Sequence, residues 1–351
     1  MPILILCFIT AFSITYLMMP LVIQVARARD LYDQPNARSA HLAPTPTLGG
    51  VGIFSGTFFA LILWIKAADF GALQFVLVAF LFIFLAGARD DLIPLSPAAK
   101  FATQALAAFM VAAKAQIGLH SLHGLFGVYA LPAPVGIALS VLVIVLIINA
   151  FNLTDGVNGL AASLGLLTCG FLGVWFYLTR QILPATIAFS VAGSLSAFLK
   201  YNVTPARIFM GDTGSQFIGL VCAVLVLQFI RRQEAMPAGA PLAFHAAPVI
   251  ALSLLVIPLF DTCWAILRRI ARGRSPFSPD KNHIHHLLLA QGYSHSQTTV
   301  ILVLASLCFV GIALALDRLG SPLLLAVQGC LAVVCALGLH GRRVWKNNRR
   351  D

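Results

Sequence analysis

Long apolar runs dominate this chain and leave it few ways to fold. They recur at about 3–25, 47–66, 72–88, 98–117, 133–150, 159–178, 183–199, 215–231, 247–267, 299–316 and 321–340. Each is near the ~20 residues that carry an α-helix across a bilayer. In lipid a helix satisfies its own backbone hydrogen bonds, so runs of this length predict helices. Sixty per cent of the residues are hydrophobic and ten per cent are charged. A soluble domain carries roughly a quarter charged. The expectation is an all-α integral membrane protein, a single polytopic bundle of about eleven transmembrane helices spanning 1–351. The chain has no linker, low-complexity tract or fixed-period repeat. The first run has no Lys or Arg ahead of it, so it reads as a retained helix and not as a signal peptide.

Charge sets the expected orientation. Seventeen Lys and Arg fall on one side of this layout, including Arg27, Arg38, Arg89, Lys100, Arg268 and the basic tail. Six fall on the other: Lys66, Lys114, Arg180, Arg231, Arg232 and Arg318. The positive-inside rule then gives N-out, C-in. The net charge of +11 is explained by these loops and by anionic headgroups, so the expected partner is membrane lipid and not nucleic acid. The seven cysteines lie in apolar runs without a CxxC pair and read as small buried apolar residues.

The acidic residues are the informative ones. Asp30, Asp33, Asp90, Asp91, Asp155, Asp212, Asp261 and Asp280 fall at the ends of apolar runs, all on the predicted cytoplasmic side. A carboxylate beside a bilayer is costly and is kept there for a purpose. Five segments carry them or their partners. The first holds Arg38, His41, Thr45 and Gly49-Gly50, a shaped turn with anion-binding groups. The second is Arg89-Asp90-Asp91, whose adjacent carboxylates invite a cation, with Lys100 nearby as partial compensation. The third, Asn149-Ala-Phe-Asn152-Leu-Thr-Asp155-Gly-Val-Asn158-Gly159, places Asn152, Asp155 and Asn158 at a spacing that lines one side of a helical turn. The fourth, Asn202 to Ser215, contains Phe209 and Gly211-Asp212-Thr-Gly214-Ser215. It reads as a helix start, with Asp212 or Ser215 as cap and Asp212 as the leading magnesium ligand. The fifth runs from Arg268 to His283-Ile-His285-His286, a cationic lobe suited to a diphosphate. Zinc is disfavoured there because Cys and Glu partners are missing.

Asp-bound magnesium, a cationic lobe and glycine turns on one face fit attack on a nucleotide diphosphate by a membrane-held phosphate. A transporter of anionic solutes is the competing class, but it calls for ionisable groups near the bilayer midplane. A lipid-binding scaffold without turnover is a third reading.

In order along the chain, these motifs resemble the polyprenyl-phosphate N-acetylhexosamine-1-phosphate transferases (glycosyltransferase family 4). The resemblance rests on Pro35-Asn36-x-Arg38-Ser39-x-His41-x-x-Pro44-Thr45-Pro46, Asp90-Asp91, Asn149 to Gly156, Phe209-Met-Gly-Asp212-x-Gly-Ser215, and Ser275 to His286. The last segment is similar to the branch that transfers N-acetylglucosamine 1-phosphate. The branch that transfers phospho-MurNAc-pentapeptide is the alternative. The resemblance implies a multi-pass enzyme of the bacterial inner membrane with a cytoplasmic active site. It implies transfer from a UDP-N-acetylhexosamine to undecaprenyl phosphate with release of UMP, initiating O-antigen or cell-envelope polysaccharide synthesis, and it allows a homodimer. It implies magnesium, with manganese as a substitute, held by Asp212 with Asp155 close by. Asp90 and Asp91 would bind metal or deprotonate the lipid phosphate, with Asp155 the third catalytic carboxylate. Asn152, Asn202 and Phe209 would surround the nucleotide, and His283, His285, His286 and Arg268 would grip the diphosphate. Where the family has Asp-Gly-x-Asp-Gly, this chain has Asp155-Gly-Val-Asn158-Gly159. Asn158 can therefore donate or accept a hydrogen bond but cannot serve as a carboxylate base.

Overall fold

The computed structural model describes residues 1–33, 45–237, 239–273, 275 and 283–347. The helices are α1 (Pro2–Ala28), α2 (Gly49–Trp64), α3 (Phe70–Leu92), α4 (Pro97–Phe109), α5 (Ala133–Thr154), α6 (Leu160–Leu178), α7 (Ile182–Asn202), α8 (Gly211–Glu234), α9 (Ala247–Leu254), α10 (Val256–Ala271), α11 (Ile284–Ala290), α12 (His295–Ala315) and α13 (Gly320–Asn347). Two short strands, β1 (Tyr32–Asp33) and β2 (Thr45–Pro46), pair antiparallel, with Tyr32 opposite Pro46 and Asp33 opposite Thr45.

Each predicted apolar run contains a helix, and the result is an all-α polytopic bundle. Eight helices among the described residues are long and apolar enough to cross a membrane, or nine if α9 and α10 form one span. The remaining runs fall short for physical reasons. Helix α2 has 16 residues, about 24 Å at 1.5 Å per residue, less than the ~30 Å hydrocarbon layer. Helix α4 stops after 13 residues and passes into a π-helical turn, Met110–Lys114. Helices α9 and α10 meet at 83°. Pro258 has no N–H for the Leu254 carbonyl, and its ring crowds that oxygen, so the helix breaks at Leu255.

Helix α8 is the hub. In its most apolar stretch 94% of residues are buried, against 22% in the last helix, so α8 is the central column and α13 faces outward. Helices α2, α3, α5 and α6 surround α8. The contact with α2 is backbone to backbone. A Cβ on Gly50 would fall 2.1 Å from the Gly214 nitrogen, and one on Gly87 of α3 would fall 2.7 Å from the Thr213 Cα. Small residues let membrane helices approach this closely. Polar pairs add direction between helices: Thr57 donates to Ser194 at 3.0 Å, and Gln104 to Gln216 at 3.1 Å. The cysteine expectation holds for Cys7, Cys169 and Cys222, which are buried. Cys263, Cys308, Cys330 and Cys335 are exposed. In apolar helices an outward-facing thiol meets hydrocarbon, so composition could not separate the two groups.

The helix ends alternate. Helices α1, α3, α5 and α7 finish, and α2, α4, α6, α8 and α12 begin, at one end of the bundle, where the acidic residues and His283, His285 and His286 collect.

Candidate active site at the acidic end of the bundle

A cavity of about 830 Å³ opens at this end, within the range of small-molecule sites (roughly 300–1,000 Å³). Its walls include Asp90, Asp91, Lys100, Asn152, Asp155, Asn158, Asn202, Phe209, Asp212, His283, His285 and His286. Side chains separated by up to two hundred positions meet here because the alternating helix ends bring them together.

The two adjacent aspartates at the end of α3 divide their work. Asp91 turns toward α8. Its Oδ1 accepts the Asp212 N–H at 2.7 Å, and its Oδ2 accepts the Thr213 N–H at 3.0 Å and the Thr213 hydroxyl. The first N–H groups of a helix have no partner within it and carry its positive end. Asp91 therefore caps α8 from another helix. The sequence suggested Asp212 or Ser215 for this job, but Ser215 Oγ instead donates to the Gly211 carbonyl at 2.9 Å. Asp90 accepts the Leu95 N–H at 2.6 Å on Oδ1 and lies 2.8 Å from Lys100 Nζ through Oδ2.

Lys100 bridges two carboxylates. Its ammonium contacts Asp90 and also Asp212 Oδ2. The other Asp212 oxygen accepts from Asn152 Nδ2 at 2.6 Å, and the same amide nitrogen reaches Ser215 Oγ at 2.9 Å. A further polar row continues inward, with Asn149 donating to Gln104 at 2.6 Å. Sequence reading gives Lys100 a compensating part beside the Asp90-Asp91 pair. The contact with Asp212, 112 positions away, has no local signal.

The Asn152–Asn158 segment keeps its residues on the cavity, although not by one helical turn. Helix α5 ends at Thr154, and Asp155 and Asn158 follow in turns before α6. Asn158 Nδ2 donates to Thr204 Oγ1 at 3.1 Å, and its carbonyl accepts from Thr299 at 2.9 Å. Asn202 is buried. Its Oδ1 accepts the Gly159 N–H at 2.8 Å and its Nδ2 donates to the Ile208 carbonyl at 2.9 Å. Both ends of the Asn202 amide thus shape the wall.

The histidines enter from α11. His283 and His285 are buried, and His283 Nδ1 lies 3.1 Å from Asp261 Oδ2. The rings of His285 and His286 sit 4.4 Å apart between centroids.

Thr45 and Arg268 do not line this cavity. Thr45 is buried in the strand pair, while Thr47, two residues on, is in the wall. Arg38 and His41 lie outside the described residues. Sequence reading did not foresee four other polar wall residues, Asp30, Tyr32, Thr47 and His295. Of these, Asp30 stands out in the sequence only for its position at the end of an apolar run.

The oxygen donors suit a hard cation. Among the described residues, no three His, Cys, Asp or Glu side chains cluster so as to hold a metal. Magnesium does not need such a cage. It commonly takes one or two carboxylates and completes its shell with water and substrate phosphates. Asp212 and Asp155, both on the cavity wall, fit that pattern.

Comparison with known proteins completes the description. Residues 73–230 match the family model described as glycosyl transferase family 4. A protein of Yersinia pestis named undecaprenyl-phosphate alpha-N-acetylglucosaminyl 1-phosphate transferase is 31% identical over 319 residues, covering 90% of this chain and 84% of its own. The decaprenyl-phosphate N-acetylglucosaminephosphotransferase of Mycobacterium leprae is 35% identical, covering 84% of this chain and 79% of its own. A probable undecaprenyl-phosphate N-acetylglucosaminyl 1-phosphate transferase of Bacillus subtilis is 32% identical, covering 86% and 82%.

Proposed function

This chain belongs to glycosyl transferase family 4, and from that premise we propose that it transfers N-acetylglucosamine 1-phosphate from its UDP-sugar to a polyprenyl phosphate. The observation that carries the reading is the meeting of Asp90, Lys100, Asp155, Asp212 and three histidines on one ligand-sized cavity, with the exposed apolar side chains of Leu92 and Leu153 in its wall. A donor with a diphosphate needs the cationic groups, and a lipid acceptor needs an apolar approach. The relatives' names give two acceptor lengths, undecaprenyl and decaprenyl. We adopt undecaprenyl phosphate.

In the reaction, an oxygen of the lipid phosphate bonds to the sugar-bearing phosphorus of the donor. The bond from that phosphorus to the bridging oxygen breaks, and UMP leaves with the electron pair. Asp90, which lies in the cavity wall 2.8 Å from Lys100, takes the acceptor's proton where the phosphate arrives protonated. Lys100 and the three histidines donate to phosphate oxygens as charge spreads over them. Asp212 and Asp155 would hold magnesium, which when bound neutralises the diphosphate and the leaving UMP. Asp91 keeps the start of α8, and hence Asp212, in place. Phe209 offers a flat apolar surface to the uracil. The seventeen-to-six charge bias supports N-out, C-in topology, with the cavity on the cytoplasmic side of the bacterial inner membrane.

The test is UMP release by the purified protein with undecaprenyl phosphate, magnesium and a panel of UDP-N-acetyl sugars, with and without EDTA. EDTA-sensitive release with UDP-GlcNAc is expected. Release with another sugar alone corrects the donor. Absence of release with every donor, from folded protein, overturns the reading.

A further inference from the structure

Asp261 has no part in the chemistry above, yet it is among the most constrained carboxylates in the molecule. It follows the break at Leu255, which swings α10 across the bundle and brings Asp261 against the start of α11. It is 4% exposed. Its Oδ1 accepts the Ile284 N–H at 2.7 Å. Its Oδ2 lies 3.1 Å from His283 Nδ1 and 3.6 Å from His285 Nδ1. The first is hydrogen-bond distance and the second a charge contact. Burial of an ionised carboxylate is tolerated only with such partners.

The consequence falls on the two imidazoles. An ionised carboxylate only accepts hydrogen bonds, so the proton between it and His283 sits on Nδ1. The same negative charge favours Nδ1–H in His285. Nε2 is then the atom each ring turns toward a ligand, and because a phosphate oxygen only accepts, it binds there as Nε2–H, in a ring that carries a proton on both nitrogens. His285 Nε2 lies beside Gly156, where a Cβ would come within 3.3 Å of it. Gly156 and both rings belong to the cavity wall that holds Asp155 and Asp212. A line of contacts therefore runs from a buried carboxylate in α10, through two imidazoles, to the cavity.

We infer that Asp261 is a positioning residue for the donor's diphosphate: it holds His283 and His285 on their Nδ1 side, so that each ring turns Nε2 to the cavity, where an Nε2–H can donate to phosphate. The inference rests on the reading of the cavity as a nucleotide-diphosphate site. A merely structural Asp261 would cap α11 and leave the histidines' chemistry unchanged.

Asp261→Asn separates these roles in the full-length protein in lipid. Asn keeps an acceptor for the Ile284 N–H, so α11 stays in place, but its NH₂ end faces His283 Nδ1 and cannot accept that nitrogen's proton, so a ring protonated on both nitrogens loses its support. The expected result is a fall in kcat/KM for UDP-GlcNAc of about 10–100-fold, with unchanged thermal stability. Adding Asp261→Asn to a His283→Ala/His285→Ala protein is expected to cost less than about 3-fold more, because residues acting as one unit are not additive. The second readout is the ¹⁵N spectrum of labelled histidine, assigned with the His283→Ala and His285→Ala proteins. Nδ1-protonated signals in the wild type should be lost in Asp261→Asn. Unchanged signals, or a loss that multiplies in full onto the histidine variants, overturns the inference. The spectrum decides this even if the wild type releases no UMP, an outcome that sinks the functional reading instead.

Discussion

Two histidine–carboxylate pairs sit at opposite ends of the bundle and share a local design. At the cavity end, Asp261 accepts the Ile284 N–H at 2.7 Å and faces His283 at 3.1 Å. At the far end, Asp317 accepts the N–H groups of His245 and Ala246 at 2.9 and 2.8 Å, just before α9, and faces the His245 ring at 3.0 Å. Each carboxylate fastens a helix start. The difference is the imidazole's surroundings. The His245 side chain is 70% exposed, and that of His283 is 5% exposed. His283 belongs to a wall shared with carboxylates from α3, α8 and the α5–α6 turn, and His245 does not. A histidine beside an aspartate is thus a fastener first. It becomes part of a site when burial gives its charge state consequences and other helices bring it something to act on.

Substitutions can break or sharpen this contrast. The largest effect is expected at the cavity end from Asp212→Asn: turnover falls by about 10³-fold or more, measured as UMP release, while membrane insertion and thermal stability hold. Lys100→Met should come next, at about 100-fold in kcat, because Asp90 and Asp212 lose their shared cation. If it matches wild type, the Lys100 bridge is incidental. At the far end, Asp317→Ala removes the acceptor for two N–H groups and should lower stability by about 1–3 kcal/mol, seen as a shift in thermal unfolding, with kcat per folded molecule unchanged. A changed kcat would erase the distinction between the ends. The smallest effect belongs to His245→Ala, within about 0.5 kcal/mol of wild type, since an exposed ion pair contributes little.

How much of this was legible beforehand depended on the distance over which a residue acts. Asp90, Asp155 and Asp212 stood out because a carboxylate at the end of an apolar run announces a purpose. The three His283–His286 rings and the turn at Asn158 were equally visible as local patterns. Partnerships were not. Asp91 was expected to bind metal or take a proton, but its oxygens hold the start of α8, and no local pattern links those positions. Asp261 was noted only for its side of the membrane, since its partners lie beyond a loop. The broken α9–α10 span did leave a mark in Pro258, although the mark is ambiguous: Pro20 lies inside α1 without ending it. Helix count was the least legible feature, because α2 is apolar enough for a span but too short, and α4 is short and carries Lys100 and Gln104 among its apolar residues.

The cap on α8 also has a consequence for the making of the protein. Asp91 binds groups 121 and 122 positions further along the chain. At a ribosome's pace of about 5–20 residues per second, that separation is on the order of ten seconds. Throughout it, Asp91 waits at the water's edge without its α8 partners, and α8, once made, starts without that cap until the two meet. The cavity therefore exists only once α8 has been threaded into place, and a nascent chain that stalls earlier is chemically silent. Assembly itself is the switch that turns this chain from a row of membrane helices into something able to bind a ligand.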